Sequence, residues 1–508
     1  MTLDVTRPDL ALGVIGAGPM GRGIAQIAVA AGIRTILVDA VPATTEDARK
    51  FVAGMIARAA EKGAMTAETA ARSIALLETA EAVSALGDCQ VVIEAIVENL
   101  DVKKKVFQEI EAVVGPDCII ATNTSSLSVT AVAAACKNPG RVAGFHFFNP
   151  VPLMKVVEVI AGVRTEPWVT GALSRLAERC GHTPVQAQDS PGFLVNHAGR
   201  AFSTEGLRII GEGICDTAAV DRIMTEAAGF RLGPFQLFDL TGLDVSHTVM
   251  ESIYRQFYDE PRIRPSAITK GRVDAGLFGR KNGRGFYAYP DGKMAMPAEP
   301  PVPAARPAKV WVSPAEPDGH KALTARLSAM QAPLASGKTP PADALILVTP
   351  MGGDATGAAI DQGLDPARTV AVDTLTDLGK RRTLMTTPAT DPAFRDAAHG
   401  LLGSDDVPVT VIRDSAGFVA QRIIAAIVNV GCDIAQQRIA SPKDIDRAVT
   451  LGLGYPKGPL GFGDAYGPAR ILAILNNMQA FYGDPRYRPS PWLKRRAGLG
   501  LSLLTEEL

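Results

Sequence analysis

The chain has 508 residues, which at roughly 100–200 residues per domain predicts three or four domains. Its 52 Lys and Arg residues nearly balance its 53 Asp and Glu residues, and a net charge of −1 argues against a nucleic-acid coat or a polybasic membrane binder. Its 47% of apolar residues excludes disorder along most of the chain, and its six scattered cysteines, without a CxxC pair, are typical of reduced thiols in a cytoplasmic protein.

The first 189 residues alternate between apolar runs and helical stretches. An apolar run at 12–15 precedes a glycine-rich turn, a helical stretch at 22–31 and a second apolar run at 35–38. Later apolar runs lie at 91–96, 118–122, 142–147 and 155–160. Because a buried parallel strand reads as a continuous apolar run, the pattern predicts an α/β domain whose parallel sheet is covered by helices.

The character of the chain changes after Asp189. Apolar residues then recur at helical spacing, which predicts an all-α domain over residues 190–288. Residues 294–307 are rich in proline, which fits neither a helix nor a central strand, so residues 289–318 are predicted to form a semi-rigid linker.

A repeat with an offset of 225 residues links the two halves of the chain. The segment 189–193, Asp-Ser-Pro-Gly-Phe, returns as Asp-Ser-Ala-Gly-Phe at 414–418, and residues 189–244 share about 16 identities with their counterparts. Unrelated sequences of this length would share roughly 4. We therefore predict that residues 414–508 duplicate the helical domain. Between linker and duplicate, residues 319–413 carry strand-like runs but no GxGxxG, which indicates a degenerate copy of part of the first domain without a dinucleotide.

A GxGxxG motif at 16–21 follows a strand-like run and opens a helix. Gly16 would permit a tight turn, Gly18 would let the backbone approach a pyrophosphate, and Gly21 would let helix and strand pack closely. Asp39, at the end of the next run, would accept hydrogen bonds from a ribose 2′-hydroxyl and repel a 2′-phosphate, which favours NAD over NADP. The alternative is a glycine-rich turn beside a solvent-exposed loop acid. The motif indicates that the first domain has a Rossmann, doubly wound parallel sheet.

His146 and Glu158 lie on two strand-like runs joined by a short reversal. The 12-residue spacing can bring the two side chains together, and a histidine paired with a carboxylate suits a general base. A core histidine and an unrelated surface glutamate remain the alternative from the residues alone. No cluster of histidines, cysteines and acids shows metal-ligand spacing, so no metal is expected.

Several motifs resemble the 3-hydroxyacyl-CoA dehydrogenase family over about residues 10–288, and the second helical copy resembles it again over 413–490. The motifs are GAGPMG, VENLDVKKKVF, NTSSLSVT, HFFNPVPLMKVVEV, DSPGFLVN and GRGFYAY. The resemblance implies NAD-dependent oxidation of a 3-hydroxyacyl-CoA in fatty-acid or aromatic-acid breakdown. Within the family the substrate could be 3-hydroxybutyryl-CoA, a longer-chain acyl-CoA or a dicarboxylic acyl-CoA such as 3-hydroxyadipyl-CoA. The two-copy layout resembles that of long bacterial enzymes of phenylacetate catabolism, which favours the last.

The resemblance also implies roles for individual residues. His146 would be the base and Glu158 its partner, while Ser125 and Asn196 would hold the substrate hydroxyl and carbonyl. The predicted cofactor contacts are Gly16, Ala17, Gly18, Pro19, Met20, Gly21, Asp39, Glu98, Lys103, Ser125, Asn149 and Lys281. Lys62 matches a position near the CoA moiety.

The sequence departs from the family at a few positions. His197 follows Asn196 where the family commonly has arginine, and the second copy has Ala416 for Pro191 and Gln421 for Asn196. One active site per chain is expected. The two helical copies are expected to pack against each other within the chain, and a homo-oligomer of whole chains is also possible. The alternatives are a non-catalytic NAD-sensing or scaffold protein on the same fold, or a dehydrogenase of sugar acids, although the latter lacks the HFFNP pattern.

Overall fold

A computed structural model describes residues 3–507. The chain forms two compact units. Unit 1 covers the chain up to His197 together with Gln437–Leu453, and unit 2 covers Ala198–Gln436 and the chain from Gly454 onward. No helix among residues 3–507 is long and apolar enough to cross a lipid bilayer.

Unit 1 contains an eight-stranded sheet within the described residues, in the order β3-β2-β1-β4-β5-β6-β7-β8. Its strands are β1 (Ala11–Ile15), β2 (Arg34–Val38), β3 (Leu77–Ala80), β4 (Val91–Glu94), β5 (Ile119–Thr122), β6 (Val142–Phe147), β7 (Val156–Ala161) and β8 (Thr183–Gln188). All neighbouring strands are parallel except β6 and β7. The strand order reverses between β2-β1 and β1-β4, so the switch point at which such sheets bind ligands lies at the end of β1.

Helices cover both faces of this sheet. They are α1 (Pro19–Ala30), α2 (Pro42–Glu61), α3 (Ala67–Ala75), α4 (Leu100–Val113), α5 (Val129–Ala133), α6 (Pro167–Arg179) and α7 (Val195–Ala198). Residues of β1 contribute to two different hydrophobic clusters. Leu12 and Val14 belong to one cluster, and Ala11 and Ile15 belong to the other. Burial on both faces is why these strands read as continuous apolar runs.

Unit 2 contains a smaller sheet with the order β13-β12-β11-β10-β9. Its strands are β9 (Val310–Val312), β10 (Leu345–Val348), β11 (Thr369–Val372), β12 (Arg382–Thr386) and β13 (Val409–Ile412). Only β11 and β12 pair antiparallel among these described strands, which reproduces the order and directions of β4 to β8. The small sheet therefore matches the second half of the large one, without counterparts of β1, α1 and β2. Strand β9 lies inside 289–318, the range predicted as linker.

Unit 2 also contains twelve of the described α-helices. Its helices are α8 (Arg200–Gly211), α9 (Thr217–Arg222), α10 (Pro234–Thr241), α11 (Leu243–Gln256), α12 (Ala267–Asp274), α13 (Pro317–Ala329), α14 (Ala355–Asp361), α15 (Pro392–Leu402), α16 (Val419–Gln436), α18 (Pro459–Tyr466), α19 (Pro468–Tyr482) and α20 (Pro491–Leu499), while α17 (Pro442–Leu453) belongs to unit 1. Helix α16 packs against α8 of the first copy and against α18, α19 and α20 of the second. The predicted fold class is confirmed: a Rossmann sheet, a helical domain, a linker, a smaller α/β segment and a second helical copy.

Candidate active site

The glycine turn between β1 and α1 depends on close backbone contacts. Gly16 has φ +100, and a Cβ atom there would lie 2.5 Å from the carbonyl oxygen of Ala95. A Cβ on Gly21 would lie 1.7 Å from the carbonyl oxygen of Gly16, so only glycine allows this packing. Gly18 caps α1 and faces open space, because a Cβ there would meet no atom within 4 Å. The turn therefore has the form that the sequence predicts for a dinucleotide loop.

The N-terminus of α1 can accept an anionic group. Gly18 offers no side chain to cap the helix, and Pro19 occupies its first turn. A 12-residue helix that begins at such a turn presents backbone N–H groups and the positive end of its dipole to a pyrophosphate. The residues present thus fit the phosphates of a dinucleotide, with Ala17 and Met20 completing the predicted loop.

Asp39 follows β2 and binds the glycine turn directly. Its Oδ2 accepts a hydrogen bond from the backbone N–H of Ala17 (2.8 Å), and its Oδ1 accepts one from Val41 (3.0 Å). The carboxylate therefore lies beside the turn, where an adenosine ribose would follow the pyrophosphate. It is part of the loop structure as well as a candidate ribose ligand.

His146 and Glu158 are direct cross-strand neighbours on β6 and β7. His146 Nδ1 lies 2.5 Å from Glu158 Oε2, and the two side chains are 6% and 0% exposed. The other carboxylate oxygen, Oε1, accepts hydrogen bonds from the backbone N–H groups of Leu194 (2.9 Å) and Val195 (2.8 Å). A carboxylate held in this way can accept a hydrogen bond from the Nδ1–H group of a neutral imidazole, and in that tautomer Nε2 is the basic nitrogen.

The predicted Glu98–Ser125 region forms a second polar network in unit 1. Glu98 Oε1 accepts hydrogen bonds from the Thr124 hydroxyl (2.7 Å) and from the N–H groups of Ser125 (2.9 Å) and Ser126 (3.0 Å). Burial opposes the charge of Glu98, but these hydrogen bonds and the Lys103 ammonium outweigh it and lower the pKa of its carboxyl. Glu98 is therefore a fixed anion that orients the loop carrying Ser125.

Lys103 lies beneath this loop with 1% of its side chain exposed. Its Nζ is 2.6 Å from Glu94 Oε1 and 3.3 Å from Glu98 Oε2. Thr122 donates a hydrogen bond to the other oxygen of Glu94 (2.7 Å). This burial makes Lys103 a support for Glu98, and a direct contact with a cofactor stays a prediction.

The remaining predicted residues are spread more widely. Asn196 is half-buried in α7, directly after the two residues whose N–H groups bind Glu158. Asn149 is exposed three residues beyond His146, and Lys62 is exposed at the end of α2. Lys281 lies in unit 2, where its ammonium pairs with Asp244. Their roles toward cofactor or substrate stay predictions.

Two polar residues that support the site were not among the predicted ones. Asn123 Oδ1 accepts a hydrogen bond from the N–H of Phe147 (2.8 Å), the residue next to His146. Asp189 accepts hydrogen bonds from the Ser128 hydroxyl (2.8 Å) and from the N–H of Thr130 (2.7 Å) at the start of α5. The NTSSLSVT and DSPGF motifs contain both residues, but only the folded backbone reveals their partners.

The second α/β segment has no counterpart of the histidine. Thr383 is paired with Thr410, which precedes Asp414 by four residues. In the large sheet Glu158 is paired with Val185, which precedes Asp189 by four residues. Thr383 therefore takes the place of Glu158. The N–H of Asp373 donates to the carbonyl of Thr383 (3.0 Å), which puts Asp373 in the place of His146.

Asp373 is also bound to the residue that replaces Asn196. Gln421 Nε2 donates a hydrogen bond to Asp373 Oδ1 (2.9 Å), while its Oε1 accepts one from the N–H of Gly352 (2.8 Å). Burial raises the pKa of Asp373, which disfavours its charged form. Asp373 and Thr383 therefore stand where the first sheet has His146 and Glu158, and the Asp373 carboxyl is paired with Gln421 instead.

Comparison with known proteins gives the chain its relatives. The family model "3-hydroxyacyl-CoA dehydrogenase, NAD binding domain" matches residues 11–190, and the C-terminal domain model of that family matches residues 192–289 and 417–502. The chain is 36% identical over 488 residues to the 3-hydroxyadipyl-CoA dehydrogenase of Escherichia coli strain K12, covering 95% of this chain and 96% of that protein.

Shorter relatives match the first half of the chain. A probable 3-hydroxybutyryl-CoA dehydrogenase of Deinococcus radiodurans is 36% identical over 277 residues, covering 54% of this chain and 99% of the relative. Among solved structures, the 3-hydroxybutyryl-CoA dehydrogenase of Escherichia coli K12 matches with a TM-score of 0.84 and 33% identity, covering 97% of this chain and 98% of that one. The two-copy architecture is thus shared with long relatives, and the first copy alone with short ones.

Proposed function

Because the chain belongs to the 3-hydroxyacyl-CoA dehydrogenase family, we propose that it oxidises a (3S)-3-hydroxyacyl-CoA to the corresponding 3-oxoacyl-CoA. NAD, when bound at the glycine turn, supplies the acceptor for the hydride that leaves C3. The observation that carries the proposal is the buried pair of His146 and Glu158, held at 2.5 Å on adjacent strands. This pair gives the chain one base for the one proton that the reaction releases.

His146 would take the proton of the 3-hydroxyl group on Nε2 as the hydride departs. Glu158 keeps the opposite nitrogen protonated before the reaction and stabilises the imidazolium that forms during it. General-base catalysis of this kind is worth roughly 10²–10⁴ in rate. Two backbone N–H groups hold Glu158 in place, so the pair needs little rearrangement when substrate binds.

Ser125 and Asn196 would hold the substrate hydroxyl and the thioester carbonyl. The Ser125 N–H donates to the anionic Glu98, which fixes the loop and leaves the serine hydroxyl only a long contact of 3.3 Å to the same oxygen. A substrate group could therefore compete for that hydroxyl at low cost. Asn196 supports the assignment by its place immediately after Val195, whose N–H binds Glu158.

The dinucleotide would lie along the turn of residues 16–21, with Asp39 accepting hydrogen bonds from the ribose. A carboxylate at this place repels the 2′-phosphate of NADP, so we propose NAD as the cofactor. Glu98, Asn149 and Lys281 are proposed as further cofactor contacts, Lys103 as the support of Glu98, and Lys62 as a contact of the CoA moiety.

For the acyl group we propose a six-carbon chain that ends in a second carboxylate, as in 3-hydroxyadipyl-CoA, formed in the breakdown of aromatic acids such as phenylacetate. The support is the relative of that name, which aligns with 95% of this chain. A second candidate is 3-hydroxybutyryl-CoA, because a solved structure of that name aligns with 97% of the chain.

The first experiment follows NADH oxidation by the purified full chain with acetoacetyl-CoA. We expect saturable turnover with NADH and much weaker turnover with NADPH. The second compares kcat/KM for 3-hydroxyadipyl-CoA and 3-hydroxybutyryl-CoA, and we expect the larger value for the dicarboxylic substrate. A chain that binds NADH but neither oxidises it with acetoacetyl-CoA nor turns over either 3-hydroxyacyl-CoA would instead be a non-catalytic sensor or scaffold.

A further inference from the structure

Helix α17 comes from the second helical copy in sequence but belongs to the unit that carries His146 and Glu158. It packs against β7, which bears Glu158, and against β8, the edge strand of the sheet. The preceding loop and the helix also bind backbone N–H groups on the open edge of β8. The carbonyl of Ile439 accepts a hydrogen bond from Gln188 N (2.8 Å), and Asp444 Oδ2 lies 3.4 Å from Gln186 N.

Near its end, α17 touches the segment that holds the catalytic carboxylate. A Cβ atom on Gly452 would lie 3.1 Å from both γ-methyl groups of Val195 and 3.5 Å from a γ-methyl of Val156. Carbon atoms pack best at about 3.5–4.0 Å, so an added methyl group would have to displace Val195. Val195 is 1% exposed, so it lies within the packed interior of the protein.

Val195 in turn fixes Glu158. Its N–H donates to Glu158 Oε1 (2.8 Å), and Glu158 Oε2 lies 2.5 Å from His146 Nδ1. A shift of the Val195 backbone therefore moves one of the two hydrogen bonds that set the carboxylate, and with it the imidazole. The contacts run in one continuous path from Gly452 through Val195 and Glu158 to His146.

We propose that Gly452 is a positioning residue for the catalytic pair, so that the second copy supplies part of the dehydrogenase site rather than a separate support. This inference rests on the proposed function, since it assigns Gly452 a role toward His146 and Glu158. The lack of a side chain at Gly452 allows α17 to hold Val195 where its N–H reaches Glu158.

The test is Gly452→Ala in the full-length protein. We expect kcat with acetoacetyl-CoA to fall about 3- to 30-fold, since errors of up to an ångström in a catalytic geometry cost up to about 10²-fold. The KM for NADH should stay unchanged, because the glycine turn at the end of β1 is separated from β7 by β4, β5 and β6.

A rescue and a control separate positioning from general damage. Val195→Ala removes the two methyl groups that the new one would strike, so Gly452→Ala/Val195→Ala should recover most of the lost kcat. Gly498→Ala is the matched control, since Gly498 is the penultimate residue of α20, as Gly452 is of α17, and a Cβ there meets no atom within 4 Å. It should leave kcat and melting temperature unchanged. If Gly452→Ala unfolds, recovery of folding and activity in the double variant supports the same contact.

Two results would overturn the inference: wild-type kcat in folded Gly452→Ala, or a double variant no more active than Gly452→Ala. Failure of the proposed function looks different. In that case the wild type oxidises no NADH with acetoacetyl-CoA, or His146→Gln stays fully active, and the inference fails with it. If the wild type is active, His146→Gln is inactive and Gly452→Ala is fully active, only the proposed role of Gly452 is refuted.

Discussion

Glu158 determines how His146 can act. It is a fully buried carboxylate whose two oxygens bind the imidazole and two backbone N–H groups. Glu158→Gln replaces the charge by an amide that cannot stabilise an imidazolium. We expect kcat to fall by about 10²-fold, with His146→Gln/Glu158→Gln losing far less than the product of the two single losses, because the pair acts as a unit. A double-mutant cycle of kcat measures this coupling, and multiplicative losses would show that the residues act independently.

Asp39 binds the glycine turn and is the proposed determinant of cofactor choice. Asp39→Ala removes the acceptor for the Ala17 N–H as well as the proposed ribose ligand. We expect NADH binding to weaken by about 1–3 kcal/mol, the usual worth of hydrogen bonds to a charged group, and the preference over NADPH to shrink. Titration of both cofactors measures this. Asp47→Ala, an exposed acid on α2, is the control that should change neither affinity. Equal binding of NADH and NADPH by the wild type would refute this role of Asp39.

Residue spacing predicted the paired side chains of the candidate site but not the backbone groups that hold them in place. The 12-residue reversal suggested the His146–Glu158 contact, which the two strands make as direct neighbours. The hydrogen bonds from Leu194 and Val195 to Glu158 involve backbone groups 36 and 37 residues away. Backbone groups carry no sequence signal of their own, so such partners emerge only from the folded chain.

At the level of elements, the repeat preserves a helix cap. Asp189 binds the start of α5, and Asp414, 225 residues later, accepts hydrogen bonds from Ala355 N (2.8 Å) and Thr356 N (3.2 Å) at the start of α14. Asp414→Ala should cost about 1–3 kcal/mol of unfolding free energy, because charge-assisted hydrogen bonds are lost. Denaturant unfolding measures the loss, and kcat should stay near the wild-type value. A variant with unchanged stability but reduced kcat would contradict a purely structural role.

The strands that the sequence did not reveal share a physical cause. β3 is an edge strand with two exposed residues, and β8 is an edge strand that alternates buried and exposed positions, so neither reads as an apolar run. β9 spans only three residues. β12 begins with Arg382, a fully buried side chain whose charge is matched by Asp405 at 2.7 Å. Tertiary pairing determines these strands, whereas the other described strands read as apolar runs in the sequence.

At the scale of the molecule, α8 and α16 join the two helical copies within unit 2. Arg422 on α16 is fully buried and binds Glu205 (2.8 Å) and Glu212 (2.7 Å) of the first copy. The repeat aligns Arg422 with His197 and Glu205 with Val430. A second, symmetry-related pair would need an arginine at position 197 and a glutamate at position 430, and the chain has His197 and Val430 there. The chain keeps one such pair, as expected when an interface between two identical domains becomes internal.

A fragment of residues 1–292 tests this arrangement. It would expose the face of α8 that α16 covers, together with the buried Glu205, and it would lack α17 beside β7. We expect it to aggregate or to pair with a second fragment, because obligate interfaces of this kind bury about 2,000 Å² or more. Sedimentation beside the full chain measures this. A well-folded, fully active monomeric fragment at micromolar concentration would show that the second copy is dispensable.

The central claim is that this chain oxidises 3-hydroxyacyl-CoA with His146 as its base. The most direct measurement is the kcat of His146→Gln with acetoacetyl-CoA and NADH, beside an NADH titration of the same variant. We expect kcat to fall by about 10²–10⁴-fold, the usual worth of a general base, with NADH affinity unchanged. A variant that keeps kcat near the wild-type value would contradict the account.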